Sequence, residues 1–279
     1  MDDPLPVQYG TYLWNLLHGD LGKSQLSQQP VLTDLREAIP ATAELAFFAI
    51  LVAVLVGVPL GIAAAIRQNK PTDHVLRVSS LAGISMPTFW LALLVLYVFF
   101  FRLGWFPGGG RLDPGVLPVE EITGMYSVDA ALRGEWAIAW DAFHHLVLPA
   151  LVLAAFNVSL IMRYTRSAVL EVINDDYVRA ARAKGLPERT ILVKHALRNA
   201  LIPVVTVTSL QIGFLLVGGV LVETTLGLGG LGSLITDAIQ NRDYPVIQAT
   251  VLLLAVAFSV LNLLTDLLYA VIDPRLRDA

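Results

Sequence analysis

The chain has 279 residues, of which 56% are hydrophobic and only 15% charged, and its mean hydropathy is +0.66. This balance lies outside the soluble range and marks an integral membrane protein. The absence of cysteine excludes disulfides, iron–sulfur clusters and cysteine-ligated zinc, and a net charge of −4 says less by its sum than by its placement in the loops.

Residues 1–40 are polar and interrupted by Pro4, Pro6, Gly10, Gly19, Gly22 and Pro30. They hold no apolar run long enough for a signal peptide or a span, so a surface segment is expected. The first span is predicted at 41–66, followed by a basic turn from Arg67 to Arg77. The second, at 78–101, contains Ser85-Met86-Pro87-Thr88, where the proline frees a backbone carbonyl and predicts a kink. Residues 102–145 form a long polar connection carrying Gly108-Gly109-Gly110, with Trp105, Phe106, Trp136 and Trp140 where an interfacial aromatic belt would place them. A short third span, 146–162, contains Pro149 and Asn157. After the polar stretch 163–199 come a fourth span at 200–222, a glycine-rich turn from Leu226 to Gly232, a fifth span at 246–272 and a tail at 273–279. The expected fold class is therefore all-α integral membrane, with five transmembrane helices and one long loop.

Thirteen of the 19 lysines and arginines fall on the side of residues 163–199, which the positive-inside rule assigns to the cytoplasm. On that orientation residues 1–40 are extracytoplasmic with no signal ahead of them, and a further span upstream of Met1 is expected.

Catalytic parts are missing. The chain has no G-x-x-x-x-G-K-[ST], H-E-x-x-H or G-x-S-x-G, so nucleotide hydrolysis, zinc proteolysis and serine hydrolysis lack their usual groups, and no cofactor or nucleic-acid partner is expected. Gly227 to Gly232 has no following lysine and reads as a turn. His144 and His145 point to different faces of a helix and read as an interfacial, solvated pair, with no metal expected. An embedded enzyme would need intramembrane catalytic pairs, yet the spans hold only Asp266, which reads as snorkelling at its membrane edge, and edge residues such as Glu44. Ser85, Asn157, Thr206, Ser209 and Gln211 either line a polar path or bond across helices, and the sequence favours neither.

Residues 167–184 predict a helix with Glu171, Asp175 and Asp176 early and Arg179, Arg182 and Lys184 late, matching the helix dipole. Gly185 supplies a left-handed stop, Pro187 prevents continuation, and a second short helix is expected at 188–199. Ala180, Ala181 and Ala183 keep this tip slim, so another protein's groove can close around it while Tyr177 and the basic side chains hold the rim. A plain positive-inside loop would not need so long a run of ordered, alternating-charge helix, which favours docking.

Asp176-Tyr177-Val178-Arg179 with Ala181-Arg182-Ala183-Lys184-Gly185-Leu186, then His195-Ala196-Leu197-Arg198-Asn199-Ala200-Leu201-Ile202-Pro203, resembles the coupling loop of permease subunits of peptide and nickel importers of the ATP-binding-cassette class, the dipeptide and oligopeptide permease B group. Arg163-Tyr164-Thr165-Arg166, Val222-Glu223-Thr224 and Asn241-Arg242-Asp243-Tyr244-Pro245-Val246 extend the resemblance along nearly the whole chain. Arg179 stands where the general importer pattern has glutamate, Gly227-Leu228-Gly229-Gly230 where the family has an aromatic and then Pro-Gly, and the family has six spans. The resemblance implies a multi-pass plasma-membrane permease, without enzymatic activity of its own, working by alternating access on peptides, nickel or another small solute. It implies as partners a second permease, two cytoplasmic ATPases that grip Asp176 to Gly185, and an external solute-binding protein. The alternatives are a membrane-embedded enzyme and a stand-alone channel or carrier.

Overall fold

The computed structural model describes residues 4–187, 190–191 and 197–272. In chain order the helices are α1 (Leu5–Leu17), α2 (Val31–Ile66), α3 (Pro71–Ser85), α4 (Thr88–Val95) continued by π-helical turns Leu96–Arg102, α5 (Tyr126–Leu132), α6 (Trp136–Ile173), α7 (Asp176–Ala183), α8 (Leu197–Gly218), α9 (Val220–Leu226), α10 (Leu231–Gln240) and α11 (Tyr244–Ile272). The tail 273–279, most of the expected helix 188–199 and the side chain of Asp266 lie outside the described residues.

Among the described residues three helices, α2, α6 and α11, are long and apolar enough to cross a membrane. Two bent pairs, α3 with α4 and its continuation, and α8 with α9, bring the number to as many as five. The predicted runs are recognisable, but their bounds are not. At 36 residues, α2 begins ten residues before the apolar run and is about 54 Å long at 1.5 Å per residue. Its early turns are amphipathic: Val31, Leu35 and Ala38 are buried against Leu231, Ala238 and Val246, while Arg36 and Glu37 are exposed. A hydropathy window averages such a segment to polar although it is helical and half-buried. Likewise α6 has 38 residues and extends past both ends of the short span expected at 146–162.

Residues 5–17, expected as part of a broken surface segment, are largely exposed but form a helix. Pro4 precedes it and Pro6 sits in its first turn, where a missing N–H costs nothing. At Pro87 the chain bends by 102°, far beyond a kink, because Met86 and Pro87 are both extended between the two helices.

The longest interface is between α2 and α6. It closes on Gly57-Val58-Pro59-Leu60-Gly61, a small-xxx-small pattern that lets two backbones approach. A Cβ at Gly57 would lie 3.1 Å from the Val158 carbonyl oxygen, and one at Gly61 would lie 2.7 Å from that of Met162 and 2.6 Å from Thr165 Cβ. Buried Ala53, Ala154, Ile161 and Val204 fill the adjoining core, so α8 packs on the same pair.

Candidate functional site

The predicted helix 167–184 is two helices. α6 ends at Ile173, Asn174 caps it by donating its side-chain amide to the Leu170 carbonyl, and the extended Asp175 starts α7. Asparagine and aspartate compete for local backbone groups and favour such boundaries over helix interiors. α7 then stops in a Schellman arrangement: Gly185 N–H donates to the Arg182 carbonyl at 3.0 Å and Leu186 N–H to that of Ala181 at 3.4 Å, with Gly185 at φ +76°. The predicted stop is therefore present in its backbone geometry.

The alanines do not share one role. Ala181 and Val178 are buried with Ile191 beneath α7, in contact with Val172. Ala180 and Ala183 are exposed on the outer face beside Asp176, Tyr177, Arg179, Arg182, Lys184 and Gly185. Arg179 pairs with Asp176 at 2.7 Å, but both side chains are largely in solvent, where such a pair contributes little. Tyr177 connects the helix to the rest of the molecule, its hydroxyl accepting from Asn199 Nδ2 at 2.9 Å near the start of α8. Arg182 lies over a cavity of about 210 Å³ lined also by Ala65, Gln68, Leu170 and Asn174, so α7 rests on the ends of α2 and α6.

A second fixture stands nearby. Arg166 of α6 grips Asp73 of α3 bidentately, Nε to Oδ1 at 2.7 Å and Nη2 to Oδ2 at 2.9 Å, and Asp73 also accepts from Asn69 N–H. Asp73 is fully buried and also pairs with Arg77, whose Nε lies 3.5 Å from Oδ1, so two arginines hold its charge, Arg166 bidentately and from across the helix pair. The 93-residue separation hides this pairing in the sequence.

Of the polar residues singled out in the spans, the structure brings two together. Gln211 Nε2 donates to Asn157 Oδ1 at 2.7 Å, and Asn157 donates to the Leu153 carbonyl. This amide pair lines a cavity of about 390 Å³ between the start of α4, the middle of α6 and the end of α8, whose walls include Thr88, Phe156, Leu160 and Phe214. Ser85, Thr206 and Ser209 do not line it; the exposed Ser85 hydroxyl bonds back to the Leu81 carbonyl in its own helix.

At the opposite end from α7, buried carboxylates organise the connections. Glu44 accepts from the Ser127 N–H and hydroxyl and from Arg111, whose guanidinium lies 3.5 Å from the Tyr126 ring centre. The glycine-rich turn closes over α2: Leu231 N–H donates to the Thr42 hydroxyl, Gly232 N–H to Glu223, and Gly110 N–H to the Leu226 carbonyl, so both glycine-rich stretches meet. Gly230 faces Thr42 and Glu223 too closely to carry a side chain. Asp129 anchors 122–124. Burial pushes its carboxyl up, but the Thr123 hydroxyl and the N–H groups of Ile122, Thr123 and Gly124 outweigh that and hold it below the usual range. Asp243 is lowered in the same way, burial being outweighed by Ser24 and the N–H groups of Leu26, Val246 and Gln25.

His144 and His145 do face apart, but they are not a solvated pair. His145 is buried against Asp141 and Asp113, while His144 bonds the Trp105 carbonyl and stacks on Trp140.

Comparison with known proteins agrees with this architecture. A dipeptide transport system permease protein of Haemophilus influenzae is 47% identical over 266 residues, 95% of this chain and 79% of its own length. One from Alkalihalophilus pseudofirmus is 43% identical over 277 residues, 99% of this chain and 83% of its own. Among solved structures, a chain of the MetNI methionine ABC transporter in an inward-facing conformation superimposes with a TM-score of 0.65 over 87% of this chain and 97% of that chain, at 16% identity, a likeness of fold. The model of the binding-protein-dependent transport system inner membrane component matches residues 57–278. The chain is a multi-pass inner-membrane protein and belongs to the family of binding-protein-dependent transport system inner membrane components.

Proposed function

We propose that this chain is one of two permease subunits of an ATP-driven peptide importer, with α7 as the element that cytoplasmic ATPases grip. The observation that carries the reading is the build of α7. Its outer face is slim at Ala180 and Ala183, its end is fixed by the Schellman stop at Gly185, and its inner face rests on Val172 and Ile191. A helix held this way transmits a push to α6 and α8 rather than absorbing it. The charge bias of the loops supports a cytoplasmic position for α7.

Peptides are the solute class in the names of the relatives, and the cavity at Asn157 and Gln211 suits them. Its walls are apolar and uncharged, and the two amides offer donors and acceptors that match a peptide group without selecting a side chain. An external binding protein delivers the solute, ATP hydrolysis stays on partner subunits, and the permease alternates between two packings whose balance the ATPases shift.

The test is uptake of a labelled dipeptide into proteoliposomes holding this chain, its second permease, both ATPases and the binding protein. Uptake should require ATP and binding protein, and should fall at least tenfold with Ala180→Asp and Ala183→Asp together. Uptake that persists without ATP would instead mark a stand-alone carrier.

A further inference from the structure

Thr165 carries an unused polar group at the crossing of α2 and α6. Its side chain is fully buried, and among the described residues its hydroxyl has no hydrogen-bond partner. Other helical threonines do not leave this group idle. Thr208 in α8, Thr236 in α10, and Thr250 and Thr265 in α11 each donate to the carbonyl four residues earlier, at 2.7–2.8 Å. For Thr165 that acceptor is the Ile161 carbonyl, one turn back in α6. A helical threonine divides between side-chain rotamers according to whether its hydroxyl takes such a bond. Packing explains the rotamer adopted here. The Thr165 Cβ and methyl Cγ2 face Gly61, 2.6 and 3.0 Å from the place a Cβ there would occupy. The methyl is seated on the glycine, and the hydroxyl is left without its acceptor.

Ile161 sits on Gly57 in the same way, its Cγ2 3.0 Å from the corresponding place, so one ridge of α6 fills one groove of α2. Arg166, the next residue, holds α3 through Asp73. The turn with the idle hydroxyl therefore touches α2 on one side and α3 on the other. A buried hydroxyl left unpaired penalises the packing that strands it, and valine, of the same shape without the oxygen, carries no such penalty. We propose that Thr165 is a positioning residue of the transport cycle. The packing seen here strands its hydroxyl; a second packing, in which α6 eases away from Gly61, returns the hydroxyl to the Ile161 carbonyl and is favoured by that bond. This rests on the permease reading above, which requires two packings of comparable free energy. One unmade hydrogen bond shifts such a balance about tenfold.

The experiment uses the complete transporter in lipid nanodiscs, assembled with cysteine-free partner subunits. Spin labels are placed on Ile66→Cys and Glu171→Cys, exposed positions near the inner ends of α2 and α6 in a chain that has no other cysteine. Pulsed electron paramagnetic resonance, without nucleotide and with a non-hydrolysable ATP analogue, should find two label distances whose ratio nucleotide changes. Thr165→Val should move that ratio at least threefold toward the distance of the present packing, raise the midpoint of thermal unfolding and lower ATP-driven uptake at least threefold. Thr165→Ser has no methyl to seat on Gly61, so its hydroxyl reaches Ile161 in either packing and the ratio should move the same way. A threonine that only fills space predicts unchanged populations in both variants. Unchanged populations and uptake in Thr165→Val, beside a wild type that transports, would overturn the inference and leave the permease reading standing. So would a single distance indifferent to nucleotide in a transporting wild type. A wild type without ATP-driven uptake would overturn both.

Discussion

Asn199 Nδ2 donates to the Tyr177 hydroxyl at 2.9 Å, joining α7 to the first turn of α8 across 22 residues of chain. Both residues are exposed, so the bond contributes only about 0.5–1.5 kcal/mol to stability. Its value is directional, since α8 carries Gln211 toward the cavity. Tyr177→Phe and Asn199→Ala should leave thermal stability within that range and should not release the ATPases. Solute transported per ATP hydrolysed should drop several-fold, measured by parallel uptake and phosphate-release assays.

Gly185 has φ +76° and nothing within 4 Å of the place a Cβ would occupy. Any cost of substitution there is conformational rather than steric. Asparagine visits the left-handed region readily and a β-branched residue does not. Gly185→Asn should retain ATPase co-purification near the wild-type level. Gly185→Val should lose most of it while still inserting into the membrane, which a pull-down beside a membrane-fraction blot will read.

Gly61 lies where α2 meets the Met162 carbonyl and Thr165, and both backbones would have to separate to admit a methyl group. Overpacking of this kind costs about 1–3 kcal/mol. Gly61→Ala should lower the midpoint of thermal unfolding in detergent, while Gly10→Ala, with open space around it, should not.

Asp129 is expected to make the outer connection acid-sensitive. Its folded-state carboxyl is held below the unfolded value of about 3.9, so the stabilisation is complete above that value and is lost as pH falls through the lower folded value. Hydrogen exchange at Thr123 and Gly124, corrected for intrinsic rates, should lose protection below about pH 4 in the wild type. In Asp129→Asn the protection should already be weak at neutral pH and should change little with acid.

Much of this arrangement is legible in the residues. The apolar runs fall on helices long and apolar enough to cross a membrane, Gly185 and Pro187 mark the end of α7, and the residues around it point to the family that the comparisons confirm. What stays hidden has physical causes. The extensions of α2 and α6 are amphipathic and average to polar, so apolar runs understate helices that continue beyond the bilayer. The break at Asn174 and Asp175 is an outcome of local competition that helix charge patterning does not register. Pairs such as Asp73 with Arg166, or Glu44 with Arg111, join segments too far apart for spacing to associate them. Gly57-x-x-x-Gly61 is different: the motif stands in plain view, and its meaning depends only on finding the α6 backbone against it.

The central claim is that the outer face of α7 is the surface the ATPases hold. Because the chain has no cysteine, Ala183→Cys introduces a unique attachment point for a maleimide-linked photo-crosslinker, and Leu117→Cys, 81% exposed in the connection after α4, provides its counterpart. In membranes containing the assembled transporter, illumination should join the Ala183→Cys protein to an ATPase subunit and leave the Leu117→Cys protein free of that adduct. An intact complex in which Leu117→Cys gives the ATPase adduct and Ala183→Cys does not would contradict the account.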